Sequence, residues 1–285
     1  MQEKETLRCF PDSNPRSGAG HGCLNAPPRD RSGSCGFPPP PPAAAAAAMR
    51  TSSLFVCHGL AFAWYVFLIF SINHIVRKGG EKQPSAVLPF AGPWKFLTVL
   101  NLVLQAVFYG VTLFTEVFVL MKKHRMAKSM FPFRDLLFGA LAFPVSMFVF
   151  TSFWILYIYD RQLVYPQQLD LVIPEWMNHG MHTSILPLAI LEIFSTPRRY
   201  PSKGKGLSLL GIAGFAYTSW LLWIYSVTGK WVYPIFEVLS PFGRAAFLFI
   251  GFVSILFIYN MGEFLCRMIW GDSVAILDVY KKKSK

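Results

Sequence analysis

Apolar residues are bunched along this chain into long runs separated by short polar segments. The runs 96–120, 136–159 and 207–227 are each long enough to cross a hydrocarbon core, which takes about 20 residues. With the shorter runs included, six spans are predicted, at 54–75, 96–120, 136–159, 178–195, 207–227 and 243–265. The pattern therefore predicts an all-α fold, a polytopic membrane bundle of about six transmembrane helices.

Composition and charge support a membrane location. The chain is 53% hydrophobic and only 15% charged, whereas soluble domains have about 25% charged residues. Its net charge of +12 would suit a nucleic-acid partner, but the basic residues concentrate after predicted spans two, four and six. Cytoplasmic loops carry such an excess of Lys and Arg, so both termini are predicted to be cytoplasmic. We expect membrane lipids around the protein and no nucleic-acid partner; the sequence indicates no particular protein partner.

The chain divides into three predicted parts. Residues 1–48, rich in Pro, Gly, Arg and Ser, are predicted to be a disordered low-complexity extension. Residues 49–272 form the predicted six-helix domain, and residues 273–285 a basic cytoplasmic tail. In that tail, Lys282 and Lys283 resemble the dilysine retrieval signal of endoplasmic-reticulum membrane proteins, although a plain basic tail attracted to anionic lipid fits equally well. We predict a multi-pass protein of the endoplasmic reticulum, the plasma membrane or both.

The five cysteines do not indicate a disulfide framework. Three of them lie in the N-terminal extension, and Cys57 and Cys266 lie near predicted cytoplasmic helix ends. A reducing compartment favours free thiols at all of these positions. Palmitoylation of Cys57 or Cys266 is the alternative.

The second predicted span carries one polar stripe. Polar residues recur there every three or four positions, which places them on one face of a helix. Polar groups at membrane depth are costly, so they usually face the interior of the bundle and often mark function. The stripe consists of Thr98, Asn101, Gln105, Tyr109, Thr112 and Glu116.

The stretch WMNHGMHTSILP, residues 176–187, opens the fourth span with two histidines. Asn178 precedes His182 by one helical turn, on the same face. Spans two and four enter from the same side, and Thr98 and His182 lie about 6 and 9 Å inside the preceding tryptophans. A hydroxyl facing an imidazole is the outline of an acyl-transfer site. From the spacing alone an ordinary interhelical hydrogen bond is the favoured interpretation, and the catalytic one stays open beside it.

Other chemistries find less support. His179 and His182 could ligate a metal, but a closed site needs three or four ligands. The chain has no G-x-S-x-G elbow, H-E-x-x-H motif, P-loop or G-x-G-x-x-G fingerprint. It also lacks the rings of charge or filter sequence of a channel. We expect neither a metal nor a cofactor.

Five further runs stand out along the chain: PWKFLTVLNLVLQAVFYGV (93–111), RDLLFGALAFPVSMFVF (134–150), VYPQQLDLVIPEWMNHGMHTSILP (164–187), YPSKGKGLSLL (200–210) and TGKWVYPIFEVLSP (228–241). Over roughly residues 50–272 they resemble one family, the androgen-induced gene 1 and androgen-dependent TFPI-regulating protein family. The loop LSPFGRAAF and the WGD after span six look closer to the TFPI-regulating branch, whereas NHGMH looks closer to the other branch; we favour the former.

The resemblance implies a multi-pass membrane hydrolase that cleaves fatty acid esters of hydroxy fatty acids. The family's nucleophile is the threonine of W-K-x-x-T, which matches Thr98, and its essential histidine is the last of N-H-x-M-H, which matches His182. The implied substrate is a lipid ester that enters from the bilayer and passes through an acyl-threonine. Asn178, His179 and Asn101 are possible supporting residues without an assigned role.

Two questions stay open at this point. The third member of a catalytic triad is not evident, with Asp160, Asp170 and Asn178 as candidates. The competing class of function is a non-enzymatic regulator or scaffold in lipid-rich membrane, in which Thr98 and His182 only join two helices.

Overall fold

The computed structural model describes residues 42–82 and 91–283, with side chains described for 52–78 and 91–271. Throughout these residues the regular structure is helical, with no strand among them. The α-helices are α1 (Pro42–Lys82), α2 (Leu97–Leu120), α3 (His124–Leu137), α4 (Phe143–Asp160), α5 (Glu175–His182), α6 (Ile185–Ser195), α7 (Lys203–Thr228), α8 (Ile235–Val238) and α9 (Pro241–Lys283).

Five helical stretches within the described residues are long and apolar enough to cross a membrane. They correspond to all the predicted spans except the fourth, and they confirm an all-α, polytopic membrane bundle. The stretches are Ser52–Lys78, Leu97–Leu120, His124–Leu163, Lys203–Thr228 and Pro241–Gly271.

The predicted fourth span, 178–195, differs from expectation. Two helices replace the single one, α5 with 8 residues and α6 with 11. Pro187 explains the break, because a proline ring collides with the carbonyl of the residue four positions earlier. That residue is Thr183, which lies between α5 and α6. His182 therefore ends a helix instead of lying inside one.

The third span is longer than expected and begins in a region predicted to be a basic loop. Helix α3 starts at His124 and joins α4 through a π-helical turn, Phe138–Ala142. Pro144 lies in the first turn of α4, directly after the π-helical turn, and it lacks the N–H that would continue the helical hydrogen bonds there. Widened turns of this kind occur often at functional sites.

The ends of the chain only partly overlap the described residues. Helix α1 begins at Pro42 and α9 continues to Lys283. Most of the predicted extension 1–48 lies outside the described residues, as do Cys9, Cys23, Cys35 and the side chains of Lys282 and Lys283. The predictions for these segments stay predictions. Within the described part, Cys57 and Cys266 are free thiols, one exposed and one buried.

The interior and exterior are both apolar, as expected for a protein surrounded by lipid. The core packs side chains such as Tyr65 and Leu68 of α1 against Leu102 and Phe108 of α2. On the outside, Phe70, Ile158, Phe215 and Phe242 are each more than 75% exposed. Exposed apolar side chains in such number cover a surface that faces hydrocarbon.

A buried ionic cluster joins α1, α2, α3 and α6 near the end of α2 that carries Glu116, opposite the end that carries Thr98. The His58 ring lies between two carboxylates, with Nδ1 2.7 Å from Glu116 and Nε2 3.1 Å from Glu192. Arg198 donates to Glu192. Arg198 also lies 3.7 Å from Asp135. Buried charges are tolerated only when they are paired in this way.

Candidate active site

The polar stripe of α2 faces the interior as expected. Asn101, Gln105, Tyr109 and Thr112 are buried, and the other two members are partly buried. Thr98 lies in the first turn of the helix, next to a cavity described below. The apolar remainder of α2 packs on neighbouring helices or faces outward.

Two tyrosines hold the beginning of α2. The N–H of Leu97 donates to the hydroxyls of Tyr217 and Tyr233, 3.0 Å from each. These hydroxyls are 2.8 Å apart, and Tyr217 also donates to the Lys95 carbonyl. One of the N–H groups that a helix start leaves without an intrahelical acceptor is thereby satisfied. The position of Thr98 is thus fixed by residues from α7 and from the loop after it.

The central contact of the site joins α2 to α5. Thr98 Oγ1 lies 3.1 Å from His182 Nε2. Each residue is therefore within hydrogen-bond reach of the other, as a nucleophile and its base must be. The sequence placed the two residues at similar depth, and the structure brings their side chains together.

Asn178 sets which nitrogen of His182 carries hydrogen. His182 Nδ1 lies 3.0 Å from the backbone carbonyl of Asn178 and 2.8 Å from its Oδ1. A carbonyl oxygen can only accept, so Nδ1 must carry the hydrogen. In the neutral ring Nε2 then has its lone pair free and accepts the hydroxyl hydrogen of Thr98. The arrangement is that of a nucleophile, a base and an orienting group.

Phe153 holds the plane of the imidazole. Its ring stacks on His182 with centroids 3.5 Å apart and planes inclined by 8°. His182 is only 5% exposed. Phe153 also forms part of the wall of a cavity that Thr98 lines as well, so the stacked imidazole lies next to this cavity.

A cavity of about 870 Å³ lies beside Thr98, between α2, α4, α7 and α9. Its wall is mostly leucine, valine, phenylalanine and glycine, with Thr98 and Asn101 among the few polar residues. Ligand cavities in proteins have volumes of about 300 to 1,000 Å³ and are typically apolar with a few polar groups. This cavity therefore suits an apolar molecule with one polar centre.

Asn101 and Gln105 form the buried continuation of the site. Gln105 Nε2 donates to the carbonyl of Ala142, 2.9 Å away, and to Asn101 Oδ1, 3.2 Å away. Asn101 is 0% exposed. Its Nδ2 has no hydrogen-bond partner among the described residues.

The other candidates from the sequence lie elsewhere. His179 is exposed, stacks on Trp154 and contacts Thr183 Oγ1 at 2.9 Å. Asp160 accepts from the N–H of Gln162. Asp170 accepts from Arg161 Nη2 with both carboxylate oxygens at 2.8 Å. Asn178, rather than either aspartate, is the residue that contacts the catalytic candidate His182.

Burial also affects groups at the membrane boundary near the site. It raises the pKa of Tyr233 and lowers the pKa of Lys95. For Tyr165, burial and the nearby Asp170 raise the pKa to about 12, with Arg161 opposing. The tyrosine hydroxyls therefore remain protonated at neutral pH and can serve as hydrogen-bond donors.

Several contributors to the site were not recognised from the sequence. Phe153, Tyr217 and Tyr233 resemble the ordinary aromatic residues of a membrane protein, and nothing in their spacing connects them to Thr98. Gln105 did carry a signal, because it belongs to the polar stripe. Within the part of the chain that has described side chains, no group of three or more His, Cys, Asp or Glu is placed to hold a metal.

Fold and site together define a multi-pass membrane protein with a Thr–His–Asn arrangement beside an apolar cavity. The model of the FAR-17a/AIG1-like protein family matches residues 53–267. The chain belongs to that family. The match covers Thr98, Asn178 and His182, and no solved structure matches the chain.

Named relatives agree with this assignment. The human androgen-dependent TFPI-regulating protein is 46% identical over 224 residues, which cover 79% of this chain and 96% of the relative. Its mouse counterpart is 43% identical over 78% of this chain and 96% of its own length. The human androgen-induced gene 1 protein is 40% identical, over 69% of this chain and 85% of its own length.

Proposed function

We propose that this protein is an integral-membrane hydrolase of lipid esters, with fatty acid esters of hydroxy fatty acids as its substrates. The observation that carries the proposal is the contact of 3.1 Å between Thr98 Oγ1 and His182 Nε2 at the wall of an apolar cavity. The nature of the substrate rests on the resemblance of the W-K-x-x-T and N-H-x-M-H segments. The cavity supports this choice of substrate, because the acyl arms can occupy the cavity and contact its apolar wall while the ester lies at Thr98.

The proposed reaction begins with proton transfer. His182 Nε2 takes the hydroxyl proton of Thr98 as Oγ1 attacks the ester carbonyl, and a tetrahedral intermediate forms. The bond to the alkoxide oxygen then breaks, and His182 returns the proton to this leaving group. The hydroxy fatty acid departs, and the acyl group stays on Thr98 as an ester.

The second half of the reaction restores the enzyme. Water attacks the acyl-threonine while His182 Nε2 takes one of its protons. The C–O bond to Thr98 breaks, Oγ1 regains the proton from His182, and the fatty acid leaves. Asn178 remains hydrogen-bonded to Nδ1 in both halves and stabilises the imidazolium that forms in each.

Apolar surroundings strengthen this chemistry. A buried imidazole and a shielded hydroxyl interact in a low dielectric, where preorganised polar groups contribute more than they do in water. Substrate enters from the bilayer between the helices that line the cavity, so its acyl arms need not cross water.

The test uses the full chain in lipid vesicles and a branched fatty acid ester of a hydroxy fatty acid. We expect hydrolysis by the parent, none above background with Thr98→Ala or His182→Ala, and partial hydrolysis with Thr98→Ser. Mass spectrometry should find an acyl adduct on Thr98 at early times. Thr151→Ala and His124→Ala are matched controls, because Thr151 donates to a carbonyl of its own helix and His124 is exposed.

Other outcomes would contradict the proposal. Unchanged hydrolysis in Thr98→Ala or His182→Ala would mean that the contact only joins α2 to α5. A parent without activity on this or other lipid esters would favour the second candidate, a non-enzymatic membrane regulator or scaffold. The observation behind that candidate is the same hydrogen bond, since interhelical bonds of this kind stabilise membrane bundles by about 0.6 to 2 kcal/mol.

A further inference from the structure

Asn101 is a buried asparagine whose amide nitrogen has no hydrogen-bond partner among the described residues. It follows Thr98 by three positions on α2, so the two side chains lie on the same face of the helix. Both residues contribute to the wall of the cavity. An unsatisfied buried donor costs about 1 to 3 kcal/mol, and such a cost at the proposed reaction centre suggests a partner that arrives with the substrate.

The orientation of the Asn101 amide follows from its neighbours. The carbonyl of Ala142 can only accept, so the group of Gln105 that faces it must be the NH₂. The same NH₂ faces Asn101, so the oxygen of Asn101 must point toward Gln105. The NH₂ of Asn101 is thereby directed away from Gln105. The carbonyl of Ala142 in the π-helical turn orients Gln105, and Gln105 in turn orients Asn101 so that Nδ2 is the atom left to donate a hydrogen bond.

From this geometry we infer that Asn101 Nδ2 donates a hydrogen bond to the oxyanion of the tetrahedral intermediate, and that Gln105 is the positioning residue that presents it. The inference rests on the proposed hydrolase function. Attack by Thr98 Oγ1 converts the ester carbonyl oxygen into an anion, and a donor one helical turn away is suitably placed to stabilise that charge. Gln105 sets the orientation of this donor before the reaction, and a donor that is oriented in advance favours the charge as it develops.

The first experiment measures steady-state hydrolysis of the same ester by the full chain in vesicles. Asn101→Leu keeps a similar volume and removes the donor. We expect kcat to fall about 100- to 1,000-fold, as when one oxyanion donor is removed from other hydrolases, with KM within threefold of the parent. Asn260→Ala is the matched control, because this asparagine of α9 donates to the carbonyl of Leu256 in its own helix and is exposed.

The second experiment separates stabilisation of the oxyanion from structural damage. A trifluoromethyl ketone with the same acyl arms adds to the Thr98 hydroxyl and carries an oxyanion, whereas an ether analogue has no carbonyl. We expect Asn101→Leu to weaken binding of the ketone at least 30-fold and to leave binding of the ether within twofold. Equal weakening of both ligands, or kcat within threefold of the parent, would overturn the inference.

The role of Gln105 has its own test. In Gln105→Glu the carboxylate accepts from Asn101 Nδ2 and turns the donor away from the reaction centre. We expect a loss of kcat close to that of Asn101→Leu, and no further loss when the two substitutions are combined. If the loss of kcat in the double variant instead equals the product of the losses in the two single variants, Gln105 has only a structural role.

These results also separate the inference from the function on which it rests. Hydrolysis that requires Thr98 and His182 but not Asn101 would overturn the inference alone. A parent that hydrolyses no ester would overturn both.

Discussion

His182 Nδ1 lies 2.8 Å from Asn178 Oδ1, one helical turn earlier in α5. The backbone carbonyl of Asn178 lies 3.0 Å from the same nitrogen. The side chain therefore reinforces an orientation that the main chain already imposes. This double contact distinguishes the site from triads in which a carboxylate alone orients the histidine.

Replacement of Asn178 should consequently have a moderate effect. We expect Asn178→Leu to lower kcat about tenfold, the equivalent of one hydrogen bond, because the backbone carbonyl still holds Nδ1–H. Asn178→Asp keeps an acceptor and should retain more activity than the leucine variant. Steady-state kinetics in vesicles tests this order, and a complete loss in Asn178→Leu at normal protein levels would contradict it.

The cavity wall provides a second prediction. Gly214 of α7 lines the cavity, and no atom lies within 4 Å of a Cβ added there. Gly214→Leu should therefore place a side chain in the cavity without a backbone clash. We expect hydrolysis of esters with long acyl arms to fall more than hydrolysis of esters with short arms.

A matched control for that substitution is Gly204→Leu. Gly204 belongs to the same helix, is exposed, and also has open space around an added Cβ. It does not line the cavity. Equal changes for long and short substrates in Gly214→Leu, or the same shift in selectivity in Gly204→Leu, would show that the cavity does not hold the acyl arms.

The buried ionic cluster yields a prediction about stability. Glu192 contacts both His58 and Arg198. Glu192→Leu removes one carboxylate from Arg198 but leaves Asp135 at 3.7 Å, so the cost should lie below the roughly 3 to 5 kcal/mol of a buried charge left without any partner. We expect a lower thermal unfolding midpoint in detergent, measured by intrinsic fluorescence. Glu237→Gln, at an exposed position of α8, is the control and should unfold like the parent; equal midpoints for both variants would contradict the prediction.

Asp160, the last residue of α4, and Asp170, in the segment between α4 and α5, should be dispensable for catalysis. Asp170 is bound to Arg161, and Asp160 to the N–H of Gln162. Neither contacts His182 in the structure. We expect Asp160→Asn and Asp170→Asn to keep kcat within about twofold of the parent, since losses near tenfold require a lost interaction of about 1.4 kcal/mol. A loss of kcat of more than tenfold in either variant would mean that this aspartate takes part in catalysis.

Much of the architecture was predictable because lipid imposes simple rules. The apolar runs indicated five of the membrane-crossing helices, and the spacing of polar residues in α2 indicated its inward face. The distances of Thr98 and His182 along their helices from the preceding tryptophans indicated that both residues lie at similar depth in the membrane. These inferences need only the length and periodicity of single segments.

The remainder depends on contacts between segments that are far apart in sequence. Leu97 binds tyrosines 120 and 136 positions away, and Phe153 reaches His182 from another helix. No periodicity within one segment can indicate such pairings. The break after His182 had a local cause in Pro187, but proline is tolerated within membrane helices often enough that its presence does not decide between a bend and an interruption.

That break gives the reaction centre an electrostatic direction. A helix carries partial positive charge at its first turn and partial negative charge at its last turn. Thr98 lies in the first turn of α2, and His182 is the last residue of α5. The proposed proton transfer creates negative charge beside Thr98 and positive charge on His182. An uninterrupted helix from 175 to 195 would place His182 far from any terminus, and the favourable field at the imidazole would be lost.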